Sequence, residues 1–241
     1  MYPNNVSIKS LNSRESQILH NTMDSTALAG IILDRLHSSV PTSVIRESDG
    51  EQCIIQAGQG KELRNFLKDE KWLTKYGVLG SDLKHVANEL IRAGNSATYF
   101  GAPIAGLWLP KYDIYQHFPN RNNFISVFYH REWARNNLIG DIMQAGKVMV
   151  LHRDHEEVAA NLQERFNTTS IYSAKLGSWR DQPAAEEEVK RSPAKLILAS
   201  GGPTGKAFMV DLAEKYGKVV LDVGNGMTKS WCQSFTESIE R

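Results

Sequence analysis

The sequence is poor in cysteine, has no long apolar run and carries no excess of positive charge, and each shortage removes a class of protein. Its two cysteines, Cys53 and Cys232, stand far apart and in no metal-ligand spacing. That excludes a disulfide scaffold and a zinc knuckle, and it suits a reducing cytoplasm. No apolar run approaches the roughly 18–20 residues of a membrane-spanning helix, so no membrane span is expected. The polar stretch 1–12 lacks the apolar centre of a signal peptide and reads as a loose leader before one domain over 13–241. Lysine and arginine total 28 against 27 acidic residues, for a net charge of +1, so nucleic acid is not an expected partner. What remains is ordinary globular material. The chain has 241 residues, 41% hydrophobic and 23% charged, enough to bury a core.

Periodicity assigns the chain to an α/β class. Residues 14–36 carry one apolar stripe at helical spacing (Ile18, Leu19, Met23, Leu28, Ile31, Ile32 and Leu36) and are expected to form one helix. A short buried strand is expected over 43–46, with 53–56 extending the strand pattern. Helices are expected over 61–73 and 82–93, a strand over 97–100, a long aromatic- and proline-rich loop over 110–123, a strand over 124–129 and a helix over 133–145. The second half is more regular: strands over 148–151, 170–172, 195–199 and 219–223 alternate with helices over 156–166, 186–191 and 203–216. Such alternation means βαβ units and a mostly parallel, Rossmann-like sheet flanked by helices. The stretch 58–123 reads as an irregular middle insertion in a single domain.

Three motifs are candidates for chemistry. The first is Arg46-Glu47-Ser48-Asp49-Gly50-Glu51, a strand end followed by two carboxylates around a glycine. In an extended or tightly turned segment, residues two apart share a side, so Asp49 and Glu51 would reach one hard cation. Mg²⁺ and Mn²⁺ often take only one or two carboxylates and leave the rest to water and phosphate. Arg46 would lie near as a phosphate partner. A solvated acidic turn has the same signature, because Asp-Gly is a common turn dipeptide.

The second motif is the strand 196–199 followed by Ser200-Gly201-Gly202-Pro203-Thr204-Gly205-Lys206. A helix opening there offers unpaired N–H groups and a positive dipole end, which bind phosphate. Gly202, Pro203, Thr204 and Lys206 are its candidate contacts. It is not a P-loop: Ser200 and Ala207 stand where glycine and a hydroxyl are needed. An ordinary strand-to-helix connection is the competing reading.

The third motif is Leu221-Asp222-Val223-Gly224-Asn225-Gly226, a strand ending in an acid. Ligands of open α/β sheets bind beyond the carboxyl ends of strands, which is where Asp222 and Asn225 would lie; an Asp that only caps or turns the chain fits as well. His152-Arg153-Asp154-His155 and the aromatic-flanked His130-Arg131 are weaker candidates for acid–base work and for sugar or base contact.

Taken in order, Arg46 with Asp49-Gly50-Glu51, then Gly202-Pro203-Thr204, then Leu221-Asp222-Val223-Gly224 resemble the GT-D-type glycosyltransferases, over about residues 43–226. The resemblance implies a Rossmann-like domain that moves a sugar from a nucleotide sugar, typically UDP-glucose, to a glycan or glycoprotein acceptor. It implies that the Asp-x-Glu pair, here Asp49 and Glu51, works catalytically with a divalent cation, Mn²⁺ or Mg²⁺. Ser48 replaces the glycine of the family pattern, Asn225 stands where its histidine is usual, and Gly201 and Lys206 are further departures. The expected protein is a cytoplasmic, metal-dependent hexosyltransferase, with self-association into a homo-oligomer left open. A nucleotide-binding phosphotransferase or hydrolase, and a non-catalytic nucleotide-sugar-binding protein, are the alternatives. The glycosyltransferase reading requires that the loops at Gly50 and Gly202 meet at one end of the sheet.

Overall fold

The computed structural model describes residues 13–60, 73, 78, 82–101, 117–118, 121–168 and 171–231. Seven strands form one parallel sheet: β1 (Thr42–Arg46), β2 (Tyr99–Gly101), β3 (Phe124–Ile125), β4 (Val148–His152), β5 (Ile171–Lys175), β6 (Leu196–Ala199) and β7 (Val219–Asp222), in the order β3-β2-β1-β7-β6-β4-β5. The chain starts in mid-sheet, adds strands to one side, then crosses to build the other. It ends with β7 beside β1, and that reversal opens a crevice at the strands' carboxyl ends.

Alternation along the central strands sends side chains to opposite faces. Leu196, Leu198, Val219 and Leu221 face a layer built from α2 (Ser25–Ser38), α5 (Tyr129–Arg135), α6 (Leu138–Gln144) and α7 (His155–Phe166). Ile197, Ala199 and Val220 face the layer that includes α4 (Leu83–Ser96), α8 (Gln182–Arg191) and α9 (Gly202–Tyr216). With both faces covered, the strands need apolar residues at every position, which is why they read as continuous apolar runs.

The sequence expectations need four corrections. The helix expected over 14–36 is two, α1 (Ser13–Asn21) and α2, because Asp24 caps the second. The Asp24 carboxylate accepts the Thr26 and Ala27 N–H groups at 2.8 Å each, while Met23 bridges to β3. The expected turn at 47–51 and strand at 53–56 are instead helix α3 (Asp49–Gly58), which packs Ile54 and Ile55 against Val86 and Leu90 of α4. A short buried apolar run does not distinguish strand from helix. The strand expected over 124–129 stops at Ile125, and the helix over 133–145 is divided into α5 and α6 at Asn137, whose φ is +56°. The middle stretch is no mere insertion, since it supplies α4 and β2, and β2 pairs directly with β1. Residues 61–72, 110–116 and 119–120 lie outside the described residues, as do Trp72, Trp108 and Cys232.

Candidate functional site

A cavity of about 430 Å³ opens at the carboxyl ends of the sheet. Arg46 ends β1, Asp222 ends β7, and Ser200 to Gly202 follow β6; all line it. So do His152 at the end of β4, Arg153 and Asp154 just after it, and Gly177 after β5. Gly202 and Lys206 are one helical turn apart at the mouth of α9 and both line the wall. Ser48 and Glu51 face the same cavity, so the loops at Gly50 and Gly202 do meet.

Asp222 is the centre of the site. Its side chain is 1% exposed. Oδ2 accepts the Arg46 backbone N–H at 3.0 Å and pairs with the Lys206 ammonium. Oδ1 lies 3.7 Å from Arg46 Nη2. Arg46 Nε donates to the Asp222 carbonyl at 2.8 Å, and so does the Tyr129 hydroxyl, also at 2.8 Å. Arg46 Nη1 donates to the Val127 carbonyl at 3.1 Å and faces His130 Nδ1 at 3.1 Å, so Nδ1 is the acceptor nitrogen of a neutral ring. Burial and the adjacent Arg46 hold the His130 imidazole well below its usual range. Gly224 has φ of +48°, and a Cβ there would lie 2.1 Å from Arg46 Nη2. The glycine after Asp-Val is therefore required by the arginine of a motif 176 residues away from Asp222.

Glu51 is equally committed. In the first turn of α3 its Oε2 accepts the Ser48 N–H at 2.9 Å and the Ser48 hydroxyl at 2.7 Å, the reciprocal arrangement of a capping box. Its Oε1 lies 3.4 Å from Lys206 Nζ. Burial pushes the Glu51 carboxyl up, but Lys206 and the Ser48 bonds outweigh it, and the group sits below its ordinary value. Asp222 is lowered in the same way, burial being overcome by Lys206 and Arg46. Lys206 is opposed by burial and raised by Asp222 and Glu51. The result is a desolvated cluster of two cations and two carboxylates.

Among the sequence candidates, the structure brings together Arg46, Glu51, Gly202, Lys206, Asp222 and the exposed Asn225. Pro203 and Thr204 are buried and do not line the cavity. Asp49 opens α3, and its side chain lies outside the described residues. Asp49 and Glu51 stand two apart in a helix rather than in the extended or turned segment expected. Lys206 lines the cavity and is a buried partner of two carboxylates. Of the weaker candidates, His152 accepts the Asp154 N–H at 2.9 Å on the cavity wall, while His155 bonds Ser173 at 3.0 Å. Tyr129 and Trp133 are core residues. Sequence reasoning passes over Glu47. It is 0% exposed, and neither carboxylate oxygen has a hydrogen-bond partner among the described residues. Burial, then Glu51, push its carboxyl well above the ordinary range, with Lys206 opposing.

A family model described as the GT-D fold-like domain matches residues 23–230. The chain belongs to this family. No curated protein and no solved structure matches it. The GT-D-like domain thus spans all seven strands and every residue of the cluster. The match fits a glycosyltransferase-type fold and agrees with the resemblance carried by the three motifs. Among the described residues no group of three or more His, Cys, Asp or Glu side chains is placed to hold a metal ion, and no helix is long and apolar enough to cross a membrane. As arranged, Glu51 does not fit a metal ligand: one oxygen is taken by Ser48 and the other faces an ammonium.

Proposed function

We propose that this GT-D-like protein transfers a sugar from a nucleoside diphosphate sugar, with a uridine nucleotide as the expected donor, to a glycan or glycoprotein acceptor. The observation that carries the reading is the convergence of the α9 mouth with Lys206 in one cavity at the strand carboxyl ends, where a diphosphate would sit. The volume of about 430 Å³ suits a small-molecule ligand. In the transfer the bond between the anomeric carbon and the diphosphate oxygen breaks, the acceptor hydroxyl oxygen bonds that carbon, and the hydroxyl proton passes to the departing diphosphate or to water. Negative charge then gathers on the departing diphosphate. Preorganised donors at that position lower the barrier, since they need no reorganisation. Lys206 is a fixed charge on the cavity wall, and the N–H groups at the start of α9 add to it. Arg46 and Asp222 act behind it as positioning residues, because Arg46 already donates to Asp222, Val127 and His130. A divalent cation would supply the same kind of stabilisation if one were bound.

The test is a panel of nucleotides and nucleotide sugars read by thermal shift, followed by mass spectrometry of candidate acceptors. Binding to the folded state raises its stability with ligand concentration. A uridine diphosphate sugar is expected to raise the melting temperature, and UMP to do so less. A shift with ATP and none with any nucleotide sugar would replace this reading with a phosphotransferase, and binding without turnover would indicate a binding protein.

A further inference from the structure

We infer that the Lys206 ammonium is a built-in cation occupying the place beside Glu51 and Asp222, so that the site binds its diphosphate ligand without a divalent metal. The inference rests on the proposed nucleotide site for its purpose but on geometry for its substance. Lys206 lies on the cavity wall with its side chain 5% exposed, and two carboxylates close on it, Glu51 Oε1 at 3.4 Å and Asp222 Oδ2 in direct contact. Those are the charges that would otherwise attract a hard cation. Arg46 completes the balance, two positive groups against two negative ones. Glu47 does not upset it, being buried without a hydrogen-bond partner among the described residues and therefore favouring its neutral form.

A divalent ion at Glu51 would meet the ammonium within a few ångströms, in a desolvated setting where like charges repel strongly. It would also have to displace the Ser48 hydroxyl and N–H, which hold Oε2 at 2.7 and 2.9 Å. An ammonium has three donors. One is given to Asp222 Oδ2, Glu51 Oε1 stands 3.4 Å from the nitrogen, and the ammonium lines the cavity where a ligand oxygen would sit. A lysine so held resembles a bound metal in what matters to a diphosphate: a positive charge fixed by carboxylates at the strand ends.

The experiment is a Mn²⁺ titration of the full chain followed by the electron paramagnetic resonance signal of the unbound ion, in the absence of nucleotide. Wild-type protein is expected to leave the signal as in buffer. Lys206→Ala, which opens space between the two carboxylates, is expected to bind Mn²⁺ about tenfold or more tightly than wild type. Adding Glu51→Gln to that variant should remove the gain, and Lys206→Arg should behave as wild type. Wild-type binding of Mn²⁺ that Glu51→Gln abolishes would overturn the inference, as would a folded Lys206→Ala chain that takes up no more than wild type. Should Lys206→Ala fail to fold, the wild-type and Glu51→Gln titrations decide alone. UDP binding by calorimetry, in EDTA and in Mn²⁺, separates the two claims. Equal affinity in both supports the fixed ammonium, and dependence on Mn²⁺ contradicts it. No UDP binding in either removes the nucleotide reading, and the Mn²⁺ titration then decides the fixed ammonium by itself.

Discussion

On the outer surface where α4 meets α9, Arg92 pairs with Glu89 at 2.9 Å and Asp211 at 2.7 Å, with side chains 25–48% exposed. At the carboxyl ends of β1 and β7, Arg46 and Lys206 pair with Asp222 and Glu51, with side chains 1–14% exposed. Both clusters join arginine to carboxylates from separate elements, and the surface pair has the better guanidinium geometry. Water screens the first cluster and restores most of what is lost if it breaks. In the second, each charge depends on the others, because side chains so little exposed are poorly rehydrated when a partner is lost. An expensive cluster of that kind, set in a cavity, is a reason to look for function; a surface ion pair is not.

The largest effect expected from this contrast is at Asp222. Asp222→Asn leaves two buried cations sharing one carboxylate, and the expected loss is about 3–5 kcal/mol of unfolding free energy in urea titration. An effect no greater than that of a surface pair would show that the cluster is far more hydrated than its exposure implies.

Next comes pH. Asp222 and Glu51 are held below their ordinary values, by Lys206 and Arg46 for the first and by Lys206 and Ser48 for the second, against burial. Their contribution is therefore present above the ordinary carboxylate range and is lost as pH falls through their lowered folded-state values. Glu47 has the opposite sign. Its folded-state value is raised, so its contribution is full below the ordinary carboxylate range and declines as pH rises toward that raised value. Over that rise the slope approaches about 1.4 kcal/mol per pH unit for one proton. Glu47→Gln should remove the alkaline-side loss and leave the acid-side loss intact, as read from denaturation midpoints across pH. An unchanged alkaline limb would show that Glu47 is ionised in the folded protein.

The smallest effect is on the surface. Arg92→Ala should cost no more than about 1 kcal/mol and less at high salt. A larger, salt-insensitive loss would erase the distinction between the two clusters.

Much of the fold was legible because the strands are buried on both faces. Continuous apolar runs such as Leu196–Ala199 and Val219–Asp222, each followed or preceded by a helix with clear periodicity, leave few other arrangements. The misreading at α3 has a specific cause. Ile54 and Ile55 are buried like strand residues, and the Ser48-x-x-Glu51 capping box that starts a helix before them stands in the sequence but is outweighed by the Asp-Gly turn signal. The site was legible as three places and not as one mechanism. Arg46, Gly224 and Asp222 are tied by contacts across 176 residues of chain, which no local pattern encodes. Lys206 read as a phosphate contact at a helix start; its burial between Glu51 and Asp222, which come from two other elements, is a long-range feature with no local signature. Glu47 carried no signal at all, since a glutamate after a strand ordinarily points to water.

The proposed enzyme seats one ligand where Arg46, Glu51, Lys206 and Asp222 converge. Hydrogen–deuterium exchange with and without a saturating uridine diphosphate sugar probes that seat without any assumption about the acceptor. Slower exchange is expected in 46–52, 200–206 and 222–228, with no change around Glu89, Arg92 and Asp211. Protection confined to any other face, or equal exchange at the strand ends while the sugar nucleotide is bound, would put the ligand elsewhere.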